Sequence, residues 1–245
     1  MAGTEPIGPG TLVVIAGLSI VISMAKLVYV PLIGMLMIIP GERLGGAGRR
    51  AIYCTAVIGA SFVAAALWGL ETRKLYLPVH GADPHAQLSI VLNAPWAFAV
   101  TVLATVRYLG LDWIKQFVGV LGWLDTRLPS GIYQTYPWML AAAAFLGAGE
   151  GRALRLREKA WIAGLCVCSF VLMETALYLI WCKPGLRFVG GTQGRYFIPL
   201  AIPALLIISS RVGRRLKLPV GGVVTLYSAV VLYAACARVY ERYWG

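Results

Sequence analysis

Charged residues are scarce in this sequence. They make up 13% of the 245 residues, while 59% are hydrophobic. Soluble domains usually carry about 25% charged residues, so the composition argues against an ordinary soluble protein. Apolar segments of roughly twenty residues recur from end to end, as membrane-spanning helices require. The short alternating segments of a membrane β-barrel are absent. We therefore expect an all-α, polytopic bundle of transmembrane helices.

The sequence also lacks the motifs of several common catalytic sites. It contains no nucleophile elbow, no phosphate-binding P-loop, no dinucleotide fingerprint and no HExxH pair. The cysteines show no CxxC spacing and fall within or at the ends of apolar runs, so neither a zinc site nor a redox motif is expected. They are Cys54, Cys166, Cys168, Cys182 and Cys236. The first ten residues, MAGTEPIGPG, contain no Lys or Arg, so no cleavable signal peptide is expected.

Acidic residues are fewer than basic ones, which gives a formal net charge of +12. The basic residues occur in short clusters between apolar runs. Such clusters are typical of topology signals that face anionic lipid headgroups. We therefore expect membrane lipid as a partner and no nucleic acid.

The apolar segments predict seven or eight spans in a single transmembrane domain that covers residues 1–245. Two of them, the fourth and fifth, are short for a bilayer core about 30 Å thick and could be tilted, re-entrant or half-spans. No internal repeat or hydrophilic domain interrupts the series. The predicted spans are about 12–39, 51–70, 91–108, 110–124, 132–148, 160–182, 195–210 and 218–237.

The distribution of Lys and Arg among the connections predicts the orientation. The richer set of loops, which we expect inside, holds Arg43, Arg49, Arg50, Arg107, Lys115, Arg152, Arg155, Arg157, Lys159, Arg211, Arg214, Arg215 and Lys217. The poorer set, expected outside, holds Arg73, Lys74, Arg127, Lys183, Arg187, Arg195, Arg238 and Arg242. We therefore expect a multi-pass protein of the bacterial inner (cytoplasmic) membrane, with both termini outside.

This topology puts three unusual polar stretches on the outer side. They are ADPHAQ (82–87), LGWLDT (121–126) and GGTQGRYF (190–197). Polar groups that converge at one end of a helical bundle are what a substrate pocket needs. The sequence therefore predicts a binding site at this face.

The stretch GGTQGRYF favours a phosphate ligand. Its glycines allow the backbone to approach a ligand closely. Gln193 can donate and accept hydrogen bonds, and the planar fork of Arg195 suits phosphate or carboxylate. A helix predicted to begin near Arg195 adds free N–H groups and a positive dipole end. The alternative is a glycine-rich turn with an arginine that snorkels to the interface.

The stretch ADPHAQ favours a helix cap. Asp83 followed by Pro84 is typical of a helix start. Asp83 and His85, with His80 before them, could also act as acid and base or bind a divalent metal. Their spacing matches no strong metal motif, and no cofactor is evident from the sequence.

Two further pairs of residues are candidates for substrate contact. In LGWLDT, Trp123 could cover the apolar face of a sugar while Asp125 accepts its hydroxyls; the alternative is an interfacial tryptophan beside a helix-ending turn. Lys26 is expected near the middle of the first span and Glu174 in the outer half of the sixth. Charges at such depth usually face a partner or a cavity, so these two could pair, or Lys26 could serve an anionic substrate.

Five sequence blocks together resemble a known family. They are K-x-x-Y-x-P-L (26–32), D-P-x-x-Q (83–87), N-A-P-W (93–96), L-G-W-L-D-T-x-L-P (121–129) and G-x-Q-G-R-Y-F-x-P (191–199). From about residue 20 to residue 210, the chain is similar to bacterial membrane proteins of domain-of-unknown-function family 2142, which is grouped with the GT-C glycosyltransferases.

The resemblance implies a GT-C-like membrane protein that handles a polyprenyl-phosphate-linked sugar at the outer face, for cell-envelope polysaccharide. It implies substrate contacts for Gln193, Arg195 and Tyr196. Family members are commonly longer, and the chain resembles their C-terminal half. GT-C enzymes carry an acidic catalytic residue in the first outer loop, where this chain offers only Glu5. Whether the chain is itself an enzyme thus stays open, and the alternative is a non-catalytic membrane subunit that scaffolds or stabilises a larger complex.

Overall fold

The computed structural model describes residues 5–75, 80–147, 154–210 and 219–245, and these are almost entirely helical. The α-helices are α1 (Pro9–Ala25), α2 (Ala47–Thr72), α3 (Pro84–Asn93), α4 (Pro95–Gly119), α5 (Ser130–Leu146), α6 (Leu156–Trp181), α7 (Ile198–Ile208) and α8 (Val220–Trp244). Shorter 3-10 helices span Leu27–Ile38, Gly41–Leu44, Arg73–Leu75 and Gly194–Phe197. A small antiparallel hairpin pairs β1 (Val120–Leu121) with β2 (Thr126–Arg127). The predicted all-α class is confirmed.

Four helices in the described part of the chain are long and apolar enough to cross a membrane. They are Ala47–Leu75, Pro95–Gly119, Leu156–Trp181 and Val220–Trp244. The apolar helices Pro9–Ala25, Leu27–Ile38 and Gly194–Ile208 are shorter. The membrane class is thus supported, but the predicted count of seven or eight spans is not confirmed, because several predicted spans are divided or shorter in the structure.

The contacts divide the chain into two compact units, and the single transmembrane domain over residues 1–245 stays a prediction. The first unit comprises Met1–Pro95 with Arg155–Leu186, and the second comprises Trp96–Leu154 with Arg187–Gly245. Each unit combines two stretches that are separated in the sequence.

The first unit begins with a helical hairpin that turns at Lys26. Helix α1 is about 25 Å long and the 3-10 helix Leu27–Ile38 about 24 Å long, so a straight arrangement would separate their outer ends by about 50 Å. Instead, the backbone N–H of Ile7 donates to the carbonyl of Arg43 at 2.9 Å. The chain reverses at Lys26, whose backbone is extended. The predicted single span 12–39 is therefore corrected to two antiparallel arms, and Lys26 lies at the turn, exposed, rather than mid-span.

The same hairpin corrects part of the predicted orientation. The guanidinium of Arg43 donates to the backbone carbonyl of Glu5 at 3.3 Å, so the N-terminal segment lies at the same end as Arg43. The sequence placed Arg43 inside and the N-terminus outside. These two placements cannot both be correct, because two segments that are hydrogen-bonded to each other lie on the same side of the membrane.

The returning 3-10 helix Leu27–Ile38 forms the centre of the first unit. It buries Tyr29, Val30, Ile33 and Gly34. Val30 and Ile33 form a core cluster with Val57 of α2. Helix α6 approaches the same arm closely at Gly34, whose carbonyl accepts the indole N–H of Trp161 at 3.0 Å. This arm thus packs against both α2 and α6.

The second unit is built on α4, which continues where the sequence predicted a break. The predicted spans 91–108 and 110–124 were separated at residue 109, and the basic residues Arg107 and Lys115 were counted as charges of an inner connection. Both lie within the 25-residue helix Pro95–Gly119. The residues before it form the short helix α3 of 10 residues, which is capped at its own start. One span therefore replaces two, and the alternation of loops that depended on the break is lost.

Helices α5, α7 and α8 of the second unit are held by side-chain contacts near their ends. The hydroxyl of Tyr133, near the start of α5, donates to the carbonyl of Gly119 at 2.9 Å. The hydroxyl of Ser210, just beyond α7, donates to the carbonyl of Phe145 at the end of α5. Helix α8 returns, and Arg242 near its end pairs with Asp125 of the hairpin loop. We call the end where α4 finishes and this hairpin lies the hairpin end.

Some predicted features fall on residues that the structure does not describe. Arg152, Arg211, Arg214, Arg215 and Lys217, all expected inside, lie outside the described residues, as do the last residue of the predicted span 132–148 and the first of the predicted span 218–237.

Candidate functional site

The segment Gly190–Phe197, predicted as a phosphate site, is attached along one side of α4. Just before it, the N–H of Val189 donates to the hydroxyl of Thr105 at 2.8 Å. The indole N–H of Trp113 donates to the carbonyl of Thr192 at 3.1 Å. The N–H of Gly194 donates to the side-chain carbonyl of Gln116 at 2.8 Å. Since every anchor is a directional hydrogen bond, the segment is positioned by α4 and is not a free turn.

The positions of the anchors on α4 explain why these bonds form together. Thr105, Trp113 and Gln116 recur at helical spacing and therefore share one face of the helix. Their partners follow in the same order along a non-helical stretch that bends at Gly191, whose φ is +82°. The segment thus follows the same direction as α4 along this face.

Gly194 is required by the closest approach between the segment and α4. A Cβ at this position would collide with the carbonyl oxygen of Trp113 and the backbone nitrogen of Phe117, and would lie 2.5 Å from the Cβ of Gln116. Because two of these atoms belong to the helix backbone, no side-chain rotation relieves the overlap. The residue is buried, so glycine here serves close packing.

The predicted ligand residues of this segment have different surroundings. Arg195 is exposed and forms no ion pair within the described ranges. The side-chain oxygen of Gln193 is buried and accepts no hydrogen bond from the residues described. A buried polar atom of this kind is rare in proteins and often marks a functional position. The backbone N–H of Tyr196 donates to the carbonyl of Gln193 at 2.9 Å, which starts the 3-10 helix.

The LGWLDT stretch forms the tip of the β1–β2 hairpin. Trp123 is 95% exposed. Leu124 has a φ of +65°, a left-handed conformation that is uncommon for a branched side chain and is seen mainly at turns and functional sites. The carboxylate of Asp125 binds Arg242 at 2.6 Å, with both side chains 40% exposed. Asp125 is therefore engaged by an arginine, while Trp123 is available for contact.

A cleft of about 290 Å³ lies between the end of α4, the hairpin and the attached segment. Its lining joins the two polar stretches LGWLDT and GGTQGRYF, through Leu124 and Thr192. The other lining residues are Leu109, Asp112, Trp113, Lys115, Gln116, Val120, Arg127 and Tyr133. Within the second unit, the predicted proximity of these two stretches is thus observed.

Among the polar side-chain groups that line the cleft and are not already hydrogen-bonded or ion-paired, donors predominate. The ammonium of Lys115 pairs with Asp112 at 3.3 Å, and both side chains are about half exposed. The hydroxyl of Tyr133 is engaged by its bonds to Gly119 and Leu128. Arg127 forms no ion pair in the part of the chain that is described, and Gln116 uses only its oxygen, leaving its NH₂ group as a donor. The cleft therefore has the character of an anion site.

ADPHAQ belongs to the first unit, and there Asp83 is a helix cap. Its carboxylate accepts the N–H groups of His85 and Ala86, both at 3.0 Å, and Pro84 occupies the first helical turn. The capping interpretation is confirmed. His85 is exposed, and the ring of His80 packs edge-on against Trp181 at 4.5 Å. An acid–base role for Asp83 and His85 stays a prediction.

Gln87, the last residue of that stretch, ties α3 to the end of α6. Its side-chain NH₂ donates to the carbonyls of Tyr178 at 3.1 Å and Lys183 at 3.2 Å. Its oxygen accepts the N–H of Gly185 at 3.2 Å. The residue is fully buried. Because both polar atoms of its side chain are hydrogen-bonded to the backbone, Gln87 has a structural role.

The two charges that were predicted to lie deep in the membrane also belong to the first unit. Glu174 is completely buried in α6. The ammonium of Lys26 lies 5.7 Å from the ring centre of Tyr29, a cation–π contact at the hairpin turn. Their predicted roles toward a substrate stay predictions.

Within the described ranges, no cluster of side chains supports a metal-binding role. No group of three or more His, Cys, Asp or Glu side chains comes together there. The suggestion that Asp83 and His85 bind a divalent ion therefore rests on the sequence alone.

The sequence interpretation missed Arg127, Lys115 and Gln116 as site residues. Arg127 and Lys115 were counted only as topology charges. The spacing of Asp112, Lys115 and Gln116 places them on neighbouring positions of one helix surface. All three fall within the predicted span 110–124, so this spacing was present in the sequence, and it was missed because Lys115 was counted as a charge of a connection between spans.

Comparison with known proteins gives a family match. The sequence model of a family described as predicted membrane protein (DUF2142) matches residues 3–204. No curated protein and no solved structure matches the chain. The match covers most of the chain, including the segment on α4 and the hairpin, and agrees with the resemblance found in the sequence. The chain therefore belongs to the DUF2142 family of predicted membrane proteins.

Proposed function

We propose that this membrane protein binds a polyprenyl-phosphate-linked sugar at the hairpin end of the second unit, in the manner of a GT-C glycosyltransferase, for the synthesis of cell-envelope polysaccharide. The observation that carries the proposal is the cleft where GGTQGRYF and LGWLDT meet beside α4. Its polar donors suit a phosphate, and its apolar residues suit the adjoining parts of a lipid-linked ligand.

The two polar stretches offer complementary contacts to such a ligand. Arg195 provides an exposed guanidinium for phosphate oxygens. Trp123, which is exposed on the hairpin, provides a ring face for the C–H surface of a sugar. Gln193, Tyr196 and Asp125 are neighbouring candidates for the sugar hydroxyls. This arrangement favours a lipid-linked sugar over an uncharged lipid.

The charge distribution supports an outer location for this end. Helix α7 begins at the hairpin end and runs away from it, and the sequence after Ser210 is RVGRRLKL. Four basic residues directly after a short apolar helix favour the cytoplasmic side. The hairpin end then faces outward, where polyprenyl-linked sugars are used by GT-C enzymes.

A binding measurement with the purified protein tests the proposal. Wild-type protein in lipid nanodiscs is expected to bind a polyprenyl-phosphate sugar, measured by native mass spectrometry. Arg195→Ala is expected to weaken binding by about tenfold or more, because a charge-assisted hydrogen bond is lost.

Arg238→Ala provides the matched control, since this arginine already pairs with Glu241 on α8 at 2.7 Å. It is expected to bind like the wild type. Equal binding by Arg195→Ala and wild type would remove the proposed role of Arg195, and no binding by the wild type would contradict the proposed function.

Helix α8 favours a second function, that of a non-catalytic membrane subunit. None of its residues is buried although it is long and apolar enough to span a membrane. Apart from contacts such as those of Arg242 with Asp125 and Tyr227 with Thr135, its surface is therefore open to lipid or a partner protein. Purification in mild detergent distinguishes the two functions: a stoichiometric partner favours the subunit, and transferase activity of the lone chain excludes it.

A further inference from the structure

The geometry points to Arg127 and Gln116 as an oxyanion-binding pair in the cleft, which would hold the phosphate group of the ligand. This inference deepens the proposed function and rests on it for the identity of the ligand. Arg127 lies on β2 and Gln116 on the last turns of α4, and both line the same 290 Å³ cleft. Neither residue was singled out by the sequence motifs.

The hydrogen bonds of the lining residues define which chemistry the cleft can accept. Tyr133 and Trp113 use their donors on backbone carbonyls. The NH₂ of Gln116 and the guanidinium of Arg127 make no hydrogen bond to the residues described. A ligand that matches these groups must supply acceptors, and a phosphate supplies several oxygens for a guanidinium fork.

The charges of the cleft also favour an anion. Its single carboxylate, Asp112, is paired with Lys115 at 3.3 Å, and this pair contributes no net charge. Arg127 then leaves the cleft with one positive charge. The Lys115–Asp112 pair is half exposed and thus weak, so Lys115 can turn toward an incoming anion at small cost.

The size of the cleft limits the part of the ligand that it holds. Pockets that enclose a whole small molecule are usually about 300–1,000 Å³. The cleft lies at the lower limit of this range and therefore fits a phosphate or diphosphate group, with the sugar and the lipid chain outside it. Leu109, Val120 and Leu124 provide an apolar wall beside the donors.

Gln116 allows a variant that separates binding from folding. Its oxygen holds the N–H of Gly194, so removal of the side chain would detach the segment on α4. Gln116→Glu retains an oxygen for this bond, removes the NH₂ donor and adds a negative charge. The attached segment is expected to stay in place while the anion is repelled.

The test measures binding of inorganic pyrophosphate to the full chain in nanodiscs by titration calorimetry. We expect wild type and Arg238→Ala to bind, and Arg127→Ala and Gln116→Glu to bind at least about tenfold more weakly. Arg127→Lys keeps the charge without the fork and is expected to be intermediate. Thermal unfolding of each variant checks that the fold is retained. Binding by Arg127→Ala and Gln116→Glu equal to wild type, or no binding by wild type, overturns the inference.

Two further arms separate this result from the proposed function and identify the source of the phosphate. Polyprenyl phosphate in nanodiscs is expected to compete with pyrophosphate, whereas a lipid anion without an exposed terminal phosphate is expected to compete weakly. Arg127-dependent pyrophosphate binding without any binding of the lipid-linked sugar would support the anion pair and contradict the proposed function. Binding of the lipid-linked sugar that does not depend on Arg127 would support the function and contradict the pair.

Discussion

Replacement of Gly194 by alanine is expected to detach the GGTQGRYF segment from α4. The added Cβ would overlap the backbone of α4 at Trp113 and Phe117. Because a helix backbone cannot yield locally, the segment must lift. That movement breaks the bonds from Gly194 to Gln116 and from Trp113 to Thr192. Overpacking costs roughly 1–3 kcal/mol and each hydrogen bond about 1 kcal/mol, so we expect a loss of about 3 kcal/mol.

Unfolding in detergent and hydrogen exchange of the segment measure this effect. The amides of Gly194 and Tyr196, which are hydrogen-bonded in the structure, are expected to exchange faster in Gly194→Ala. Gly131→Ala is the matched control, since a Cβ there meets no atom within 4 Å. It lies in the first turn of α5 and is expected to be neutral or slightly stabilising. A Gly194→Ala protein with wild-type stability and protected amides would show that the segment does not pack as described.

Replacement of Gln87 by leucine is expected to destabilise the first unit strongly. The change keeps the approximate size of the side chain but removes every one of its hydrogen bonds. The carbonyls of Tyr178 and Lys183 and the N–H of Gly185 each lose one hydrogen bond to the fully buried side chain. Each lost hydrogen bond costs about 1 kcal/mol, so a total of about 3 kcal/mol is expected.

The measurement is thermal unfolding of Gln87→Leu beside Asn93→Leu. Asn93 lies on the same helix and is exposed, and its amide donates only to the hydroxyl of Ser89. The control is expected to change stability by less than about 0.5 kcal/mol. Similar unfolding temperatures for the two variants would mean that Gln87 does not hold α3 to α6.

Local signals in the sequence were sufficient for some features. Asp83 followed by Pro84 predicted a helix start, and the structure confirms it, because a cap depends only on a few neighbouring residues. The scarcity of charge and the long apolar runs predicted the membrane class, and the family match agrees. These properties depend on composition and short-range order.

The places where the chain turns back, or continues as one helix, were not predicted. The segment 12–39 is apolar on both sides of Lys26, and hydropathy does not distinguish one long helix from two antiparallel arms. The hydrogen bond between Ile7 and Arg43 reveals the turn. For α4 the opposite error arose, since Arg107 and Lys115 were interpreted as loop charges although the helix continues through them. The orientation derived from these spans failed in part for the same reason.

The candidate cleft takes one residue from each of two stretches that the sequence singled out, Thr192 from GGTQGRYF and Leu124 from LGWLDT. The residues of these stretches that were predicted to contact substrate do not line it, and their roles stay predictions. Arg127, three residues after Leu124, was missed because a single arginine outside a motif resembles any topology charge. Its proximity to Gln116 results from the hairpin that folds back beside α4, and sequence spacing does not report that fold.

The most direct test of the central claim is photocross-linking with a polyprenyl-phosphate sugar that carries a diazirine on the sugar. After irradiation of the wild-type protein in nanodiscs, labelled peptides are identified by mass spectrometry. Binding at the hairpin end predicts labels within residues 120–127 and 190–197, reduced by excess unlabelled ligand. Labels confined to the first unit, or labels that excess ligand does not reduce, would contradict the account.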